Sequence, residues 1–126
     1  MPYTYSESKS AALNFQSRLD ASVWRCDLEA SSGHSLYSMG IRVALQTYGD
    51  SLSDCRSYAR SEGNQAIQKL NQAKPNEKIM QLSKDLYAKW STYIGSLSVY
   101  SPADALAKTQ YEQAKSALLT EEKFSK

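Results

Sequence analysis

Histidine, phenylalanine, cysteine and the β-branched aliphatics are all scarce in this chain. Only one histidine, two cysteines and two phenylalanines occur in 126 residues, and valine and isoleucine are few. Each shortage removes a class of function. A zinc site needs several His or Cys ligands at metal spacing, and His34 with two distant cysteines does not supply them. The cysteines do not form C-x-x-C, so thioredoxin-type redox chemistry has no support. Scarce β-branched residues argue against a large sheet. No run of about 18 apolar residues exists, so no membrane span is expected. Net charge is only +2, too small a field to argue for nucleic acid or an anionic membrane. The opening stretch, MPYTYSESKSAALNFQ, lacks a charged n-region followed by an apolar h-region. A cytoplasmic chain fits that, and so does a mature exported chain with an added Met.

What the chain does have is alanine, leucine, serine and nine tyrosines. Ala and Leu favour helix. Tyr brings apolar bulk with a polar tip. Charged residues are 22% and apolar ones 41%, a globular composition rather than a disordered one. The length suits a single domain, 1–126, with a modest core.

Four helical segments follow from the periodicity. Thr4 and Glu7 have the spacing of a capping box. Ala12, Phe15, Leu19, Val23, Cys26 and Ala30 then recur at steps of three and four, which predicts a helix over about 5–30 stopped near Gly33. Tyr37, Ile41, Ala44, Tyr48, Leu52, Cys55 and Ala59 share a second face, continued by Ala66, Ile67, Leu70 and Ala73. As one rod from Tyr37 this would reach about 60 Å, so breaks at Gly49 and Gly63 are expected. Pro75 marks a boundary, because Lys74 before it is driven out of the α region. Ile79, Leu82, Leu86, Trp90, Tyr93, Leu97 and Tyr100 mark the third helix, with Asp85 and Lys89 as an i,i+4 pair. In YSPAD, Ser101 fits N-cap, Pro102 N1 and Asp104 N3. Ala103, Ala107, Tyr111, Ala114 and Leu118 then line the last helix, fraying near Phe124. The expected fold class is all-α: an up-and-down bundle of four helical segments, or five if the second breaks near Gly49.

Cys26 and Cys55 raise a geometric question. In a tight hairpin turning at Gly33, Cys26 would face the neighbourhood of Gly40, and Cys55 would lie some 20 Å further along. A disulfide requires Cα atoms within about 7 Å. The bond becomes allowed if the apex lies near Gly40, or if the chain reverses near Gly49. Two buried free thiols are the alternative. The even count and the Ser- and Tyr-rich composition favour the bond.

Little else points to chemistry. His34 sits in an expected turn with no local nucleophile or carboxylate. Gly-rich phosphate loops are absent. Asp20, Glu29, Asp50 and Asp54 read as helix-surface charge. Arg56, Tyr58 and Arg60 form a small basic-aromatic cluster, with Lys69 nearby. Trp24 and Tyr87 lie beside the main seams and are candidates for an exposed aromatic patch. No catalytic residue, cofactor or metal is assigned.

The expected function is a non-enzymatic helical binding protein of the bacterial cell envelope, periplasmic or secreted, of the inhibitor or immunity type. Its partner would be another protein, met through Trp24, Arg56, Tyr58, Arg60 and Tyr87; a homo-oligomer is also compatible. The alternative is a cytoplasmic helical adaptor or nucleic-acid-associated protein using Arg56, Tyr58 and Arg60. Nucleic acid is the disfavoured partner, because a recognition helix should carry more positive charge.

Overall fold

In a computed structural model describing residues 3–42 and 45–124, four helices form an up-and-down bundle: α1 Ala11–Ser38, α2 Leu45–Ala73, α3 Glu77–Ser96 and α4 Ala105–Phe124. The all-α expectation holds. The breaks expected at Gly49 and Gly63 do not occur, since α2 runs through both.

The α1–α2 hairpin turns at Gly40, not at Gly33. Gly40 has φ +76°. The Ile41 amide donates to the Leu36 carbonyl at 2.9 Å and the Gly40 amide to the Tyr37 carbonyl at 3.0 Å. These two bonds close a Schellman cap, which needs a left-handed residue that glycine adopts without steric cost. Tyr37 therefore belongs to α1, Ile41 to the connection, and Ala44 lies outside the described residues.

Gly33 and Gly63 are packing notches. A Cβ on Gly33 would run into Val99, and one on Gly63 would lie 2.5 Å from Trp90 Cη2. The sequence pattern could not tell a notch from a stop, because the neighbour lies dozens of residues away.

Both helix starts assigned from capping patterns are displaced. Ser10, not Thr4, caps α1, its hydroxyl accepting from the Leu13 amide at 3.2 Å. Residues 3–10 instead form a strap held by Asn14, which is 5% exposed. Asn14 Oδ1 accepts from the Ser6 amide at 3.0 Å and the Tyr3 hydroxyl at 3.3 Å. Its Nδ2 donates to the carbonyls of Ser6, Lys9 and Ser10. At α4, Asp104 accepts from the Ala107 amide at 3.0 Å, so Asp104 is the cap and Ser101, Pro102 and Ala103 precede the helix. The third helix ends at Ser96, and Tyr100 is 61% exposed rather than core. Lys74 does leave the α region, at φ 50°. The last helix continues to Phe124.

Pairing fixes the directions. Arg18–Glu62, Cys26–Cys55 and the Gly33–Tyr48 approach all centre near Gly40–Ile41, so α1 and α2 are antiparallel. Trp90 reaches Leu19 and Ser22, Tyr93 reaches Asp27, and Val99 reaches His34, so α3 runs parallel to α1. Helices of 28 and 29 residues exceed the 20 of α3 and α4. The α3–α4 connection covers the excess: Leu97 and Val99 are buried at 2% and 3% exposure, and Val99 sits over Gly33.

The core is lined by Phe15, Leu19, Leu52, Leu70, Leu86, Trp90, Tyr93, Tyr111 and Leu118, with many alanines between them. Cys26 and Cys55 join α1 to α2 at its centre, with Sγ atoms 2.12 Å and Cα atoms 5.7 Å apart. The turn at Gly40 is the first of the two geometries that allow the bond. Among the described residues no helix is long and apolar enough to cross a membrane. The ion pairs among them are Arg18–Glu62, Lys115–Asp20 and Lys115–Glu112; Asp85 and Lys89 do not pair.

Candidate functional site

Ser22, Val23 and Cys26 turn α1 into the core, which leaves Trp24 and Leu28 on its outward side. They are 56% and 54% exposed. An exposed Trp beside an exposed Leu is a departure from the scattered single apolar residues of ordinary surfaces. Between them, Arg25 points toward α2 and stacks its guanidinium 4.8 Å from the centroid of the Tyr58 ring.

One step along the same edge, Arg18 forms a two-pronged bond to Glu62: Nε to Oε1 at 3.1 Å and Nη2 to Oε2 at 2.9 Å. Nη2 also donates to Gln65 Oε1 at 2.8 Å. The hydrogen bond to Glu62 raises the Arg18 pKa further, so this guanidinium stays charged. Tyr3 of the strap lies 5.7 Å from it, and burial raises the Tyr3 pKa. The result is a shallow groove lined by Tyr3, Arg18, Ala21, Trp24, Tyr58 and Glu62.

The residues singled out in the sequence are not gathered in one place. Trp24 and Tyr58 share this groove. Arg56 lies on another side of α2, because position i+2 of a helix points roughly opposite to position i. Its Nη1 donates to the Leu97 carbonyl and so caps the end of α3. Arg60 is exposed on Arg56's side of the helix. Tyr87 is half-buried against Trp90, ring centroids 5.4 Å apart, and its hydroxyl donates to Asn64. Lys69 is at the far end of the hairpin over the ring of Tyr5. His34 is helical rather than in a turn, with Nδ1 3.3 Å from the Val99 carbonyl and Nε2 3.5 Å from Ser38 Oγ.

Arg25, Arg18 and Tyr3 escaped the sequence reading. Arg25 carried a signal, since it is the cation next to the outward Trp24. Tyr3 carried none, because its place depends on the strap folding back onto Asn14.

Asp20 and Asp27 are also more than surface charge. Tyr111 donates to Asp20 at 2.7 Å and Tyr93 to Asp27 at 2.5 Å. Both tyrosines are wholly buried, and their rings stack with centroids 6.1 Å apart. Burial first, and these hydrogen bonds second, raise both pKa values well above the ordinary tyrosine range. These pairs join α1 to α3 and α4 and are structural.

The chain matches no family model, no curated protein and no solved structure.

Proposed function

We propose that this protein is a non-enzymatic helical binding protein of the bacterial cell envelope, acting by protein–protein contact as inhibitors and immunity proteins do. The observation that carries the reading is the outward face of α1, where Trp24 and Leu28 stand exposed beside the Arg25–Tyr58 stack. Trp, Tyr and Arg are the residue types that dominate binding energy at interfaces. They stand here on a hairpin cross-linked by Cys26–Cys55, so little flexibility is lost on binding. The disulfide also favours an oxidising compartment over the cytoplasm.

Occlusion is the mechanism. The Trp24 ring enters a cleft of the partner, Leu28 extends the apolar contact, and Arg25 gives direction through its guanidinium edge. The cytoplasmic nucleic-acid reading weighs less, because Arg56 is committed to the Leu97 carbonyl and Tyr58 faces away from it.

The test uses oxidised protein coupled to a support and exposed to envelope extract from the source cells, with cross-linking. Trp24→Ala/Tyr58→Ala is the comparison. Both side chains are exposed, so the variant should melt within about 2 °C of the parent. A partner retained by the parent and bound at least about tenfold more weakly by the variant supports the reading. Equal retention by both, or labelling of both thiols without reduction in protein from its own compartment, refutes it.

A further inference from the structure

A second concavity lies between the strap and the open end of the α1–α2 hairpin, away from Trp24. It is a cleft of about 290 Å3. Phe15, Ala66 and Leu70 form its floor and are buried at 3%, 3% and 1% exposure. Tyr3 and Tyr5 of the strap close one side. Ala66, Ala11 and Ala73 leave the space, because a longer side chain at any of them would enter it.

The polar groups at this cleft are unequal in charge. Lys69 holds its ammonium 3.8 Å from the centroid of the Tyr5 ring. It belongs to none of the ion pairs among the described residues. Arg18 uses Nε and Nη2 on Glu62 and Gln65, and its Nη1 takes part in none of those bonds. The Asn14 amide is spent on the strap. No carboxylate is among the described residues that line the space. An aromatic and aliphatic floor is thus combined with a rim that carries one ammonium outside those ion pairs, Lys69, and one guanidinium, Arg18, that Glu62 already faces from outside the cleft.

We propose that this cleft is a binding site for a small free aromatic carboxylic acid. The ring would lie on Phe15 and Leu70 under the strap tyrosines, where flat apolar faces match it. The carboxylate would take the Lys69 ammonium and the spare edge of Arg18. The volume is at the small end of ligand sites, which limits the body to about one ring with a short linker. One ammonium and one partly used guanidinium suit a monoanion better than a phosphate dianion. This site shares Tyr3 and Arg18 with the groove beside Trp24, but it does not depend on the protein-binding reading.

The probe is 3-phenylpropionate, titrated into 15N-labelled oxidised protein at neutral pH, with 3-phenylpropanol and 3-phenylpropylammonium as neutral and cationic counterparts. Saturable one-site shifts are expected in the amides of Tyr3, Tyr5, Ala11 and residues 69–73, with a Kd of about 1 mM or below for so small a ligand. The alcohol should bind about tenfold more weakly, and the ammonium more weakly still. Lys69→Gln should lose about tenfold and Lys69→Arg should restore it, which separates charge from a loosened strap. Ala73→Phe, an exposed position at the rim, should occlude the cleft. Circular dichroism melts verify that each variant is folded; should Ala73→Phe fail there, the two Lys69 variants still decide. Equal affinity for the alcohol, shifts centred on Trp24 and Tyr58, or unchanged binding by Lys69→Gln would overturn the proposal.

Discussion

Glycines 49 and 63 lie in one helix, and the packing assigns opposite signs to the same substitution at the two places. In helix interiors alanine is favoured over glycine by about 0.8–1.0 kcal/mol. A Cβ on Gly49 has nothing within 4 Å, so Gly49→Ala should stabilise by about 0.5–1 kcal/mol. A Cβ on Gly63 would stand 2.5 and 2.7 Å from Trp90 Cη2 and Cζ3 and 3.3 Å from Tyr87 Cε2. The ring cannot swing aside cheaply. Trp90 is 1% exposed, and its Nε1–H donates to Ser22 Oγ at 3.0 Å and to the Leu19 carbonyl at 3.2 Å. Overpacking a fixed site costs about 1–3 kcal/mol, and two ring atoms this close place the cost in the upper part of that range. After the helix gain is subtracted, Gly63→Ala should destabilise by about 1–2 kcal/mol. Equilibrium urea unfolding of parent, Gly49→Ala and Gly63→Ala, followed by far-UV circular dichroism, gives all three values on one scale. A Gly63→Ala protein as stable as the parent would mean that α2 and α3 do not meet at this notch.

Leu86 is fully buried, so Leu86→Ala should cost about 2–5 kcal/mol in the same assay, and a loss under about 0.5 kcal/mol would show that this face is not core. Reduction of Cys26–Cys55, which lie 29 positions apart, should lower stability by about 3–4 kcal/mol; coincident urea midpoints for oxidised and reduced protein would refute the cross-link. Tyr93 and Tyr111 have raised pKa values in the fold, so below the ordinary value of about 10 their contribution is intact. Above it the unfolded chain loses protons that the native state keeps, and stability should fall by up to about 1.4 kcal/mol per pH unit for each tyrosine. Lys115 adds in the same sense, since its bonds to Asp20 and Glu112 outweigh the opposing effect of burial and raise its pKa. Denaturant titrations between about pH 8 and pH 11 should show this slope, and Tyr93→Phe/Tyr111→Phe should reduce it; a flat profile in the parent would refute it.

The apolar seams were readable because a 3.6-residue period depends only on local spacing: Phe15, Leu19, Cys26, Leu52, Leu86, Trp90 and Leu118 all fall inside. Helix ends were less readable. Thr4–Glu7 and Ser101–Pro102 satisfy local capping rules, yet Ser10 and Asp104 do the capping. In the first case Asn14 binds the strap from within the helix, and no local rule weighs that against a capping box. The notches at Gly33 and Gly63 are set by Val99 and Trp90, so they became visible only with the packing. The outward face had a partial signal, because Trp24 lies beside the seam; Leu28 had none, since its spacing only widens the apolar side of α1 although it is 54% exposed. Arg25 had one as the neighbour of Trp24, but its stack on Tyr58 exists only once the turn at Gly40 sets the α1–α2 register.

That dependence on register makes the buried polar contacts informative. Apolar seams rich in alanine specify register weakly, because a slip of one heptad puts apolar against apolar again. Here α1 receives three distinct donors: Trp90 at Ser22, Tyr93 at Asp27 and Tyr111 at Asp20. Slide α3 and α4 together by seven residues toward the start of α1, and Tyr93 finds Asp20 in place of Asp27. Trp90 then meets Phe15 instead of Ser22, and Tyr111 meets Leu13 instead of Asp20. The Tyr111 phenol would be left buried without a side-chain partner, at about 1–3 kcal/mol, and the indole N–H would lose its hydroxyl acceptor and keep only a backbone carbonyl of the kind Leu19 now offers. The penalty is comparable to a sizeable part of the net stability of a small domain. At core positions 93 and 111 tyrosine rather than phenylalanine is therefore a structural choice. At Tyr93 and Tyr111 the ring fills the core while the hydroxyl helps to select one alignment of α3 and α4 on α1.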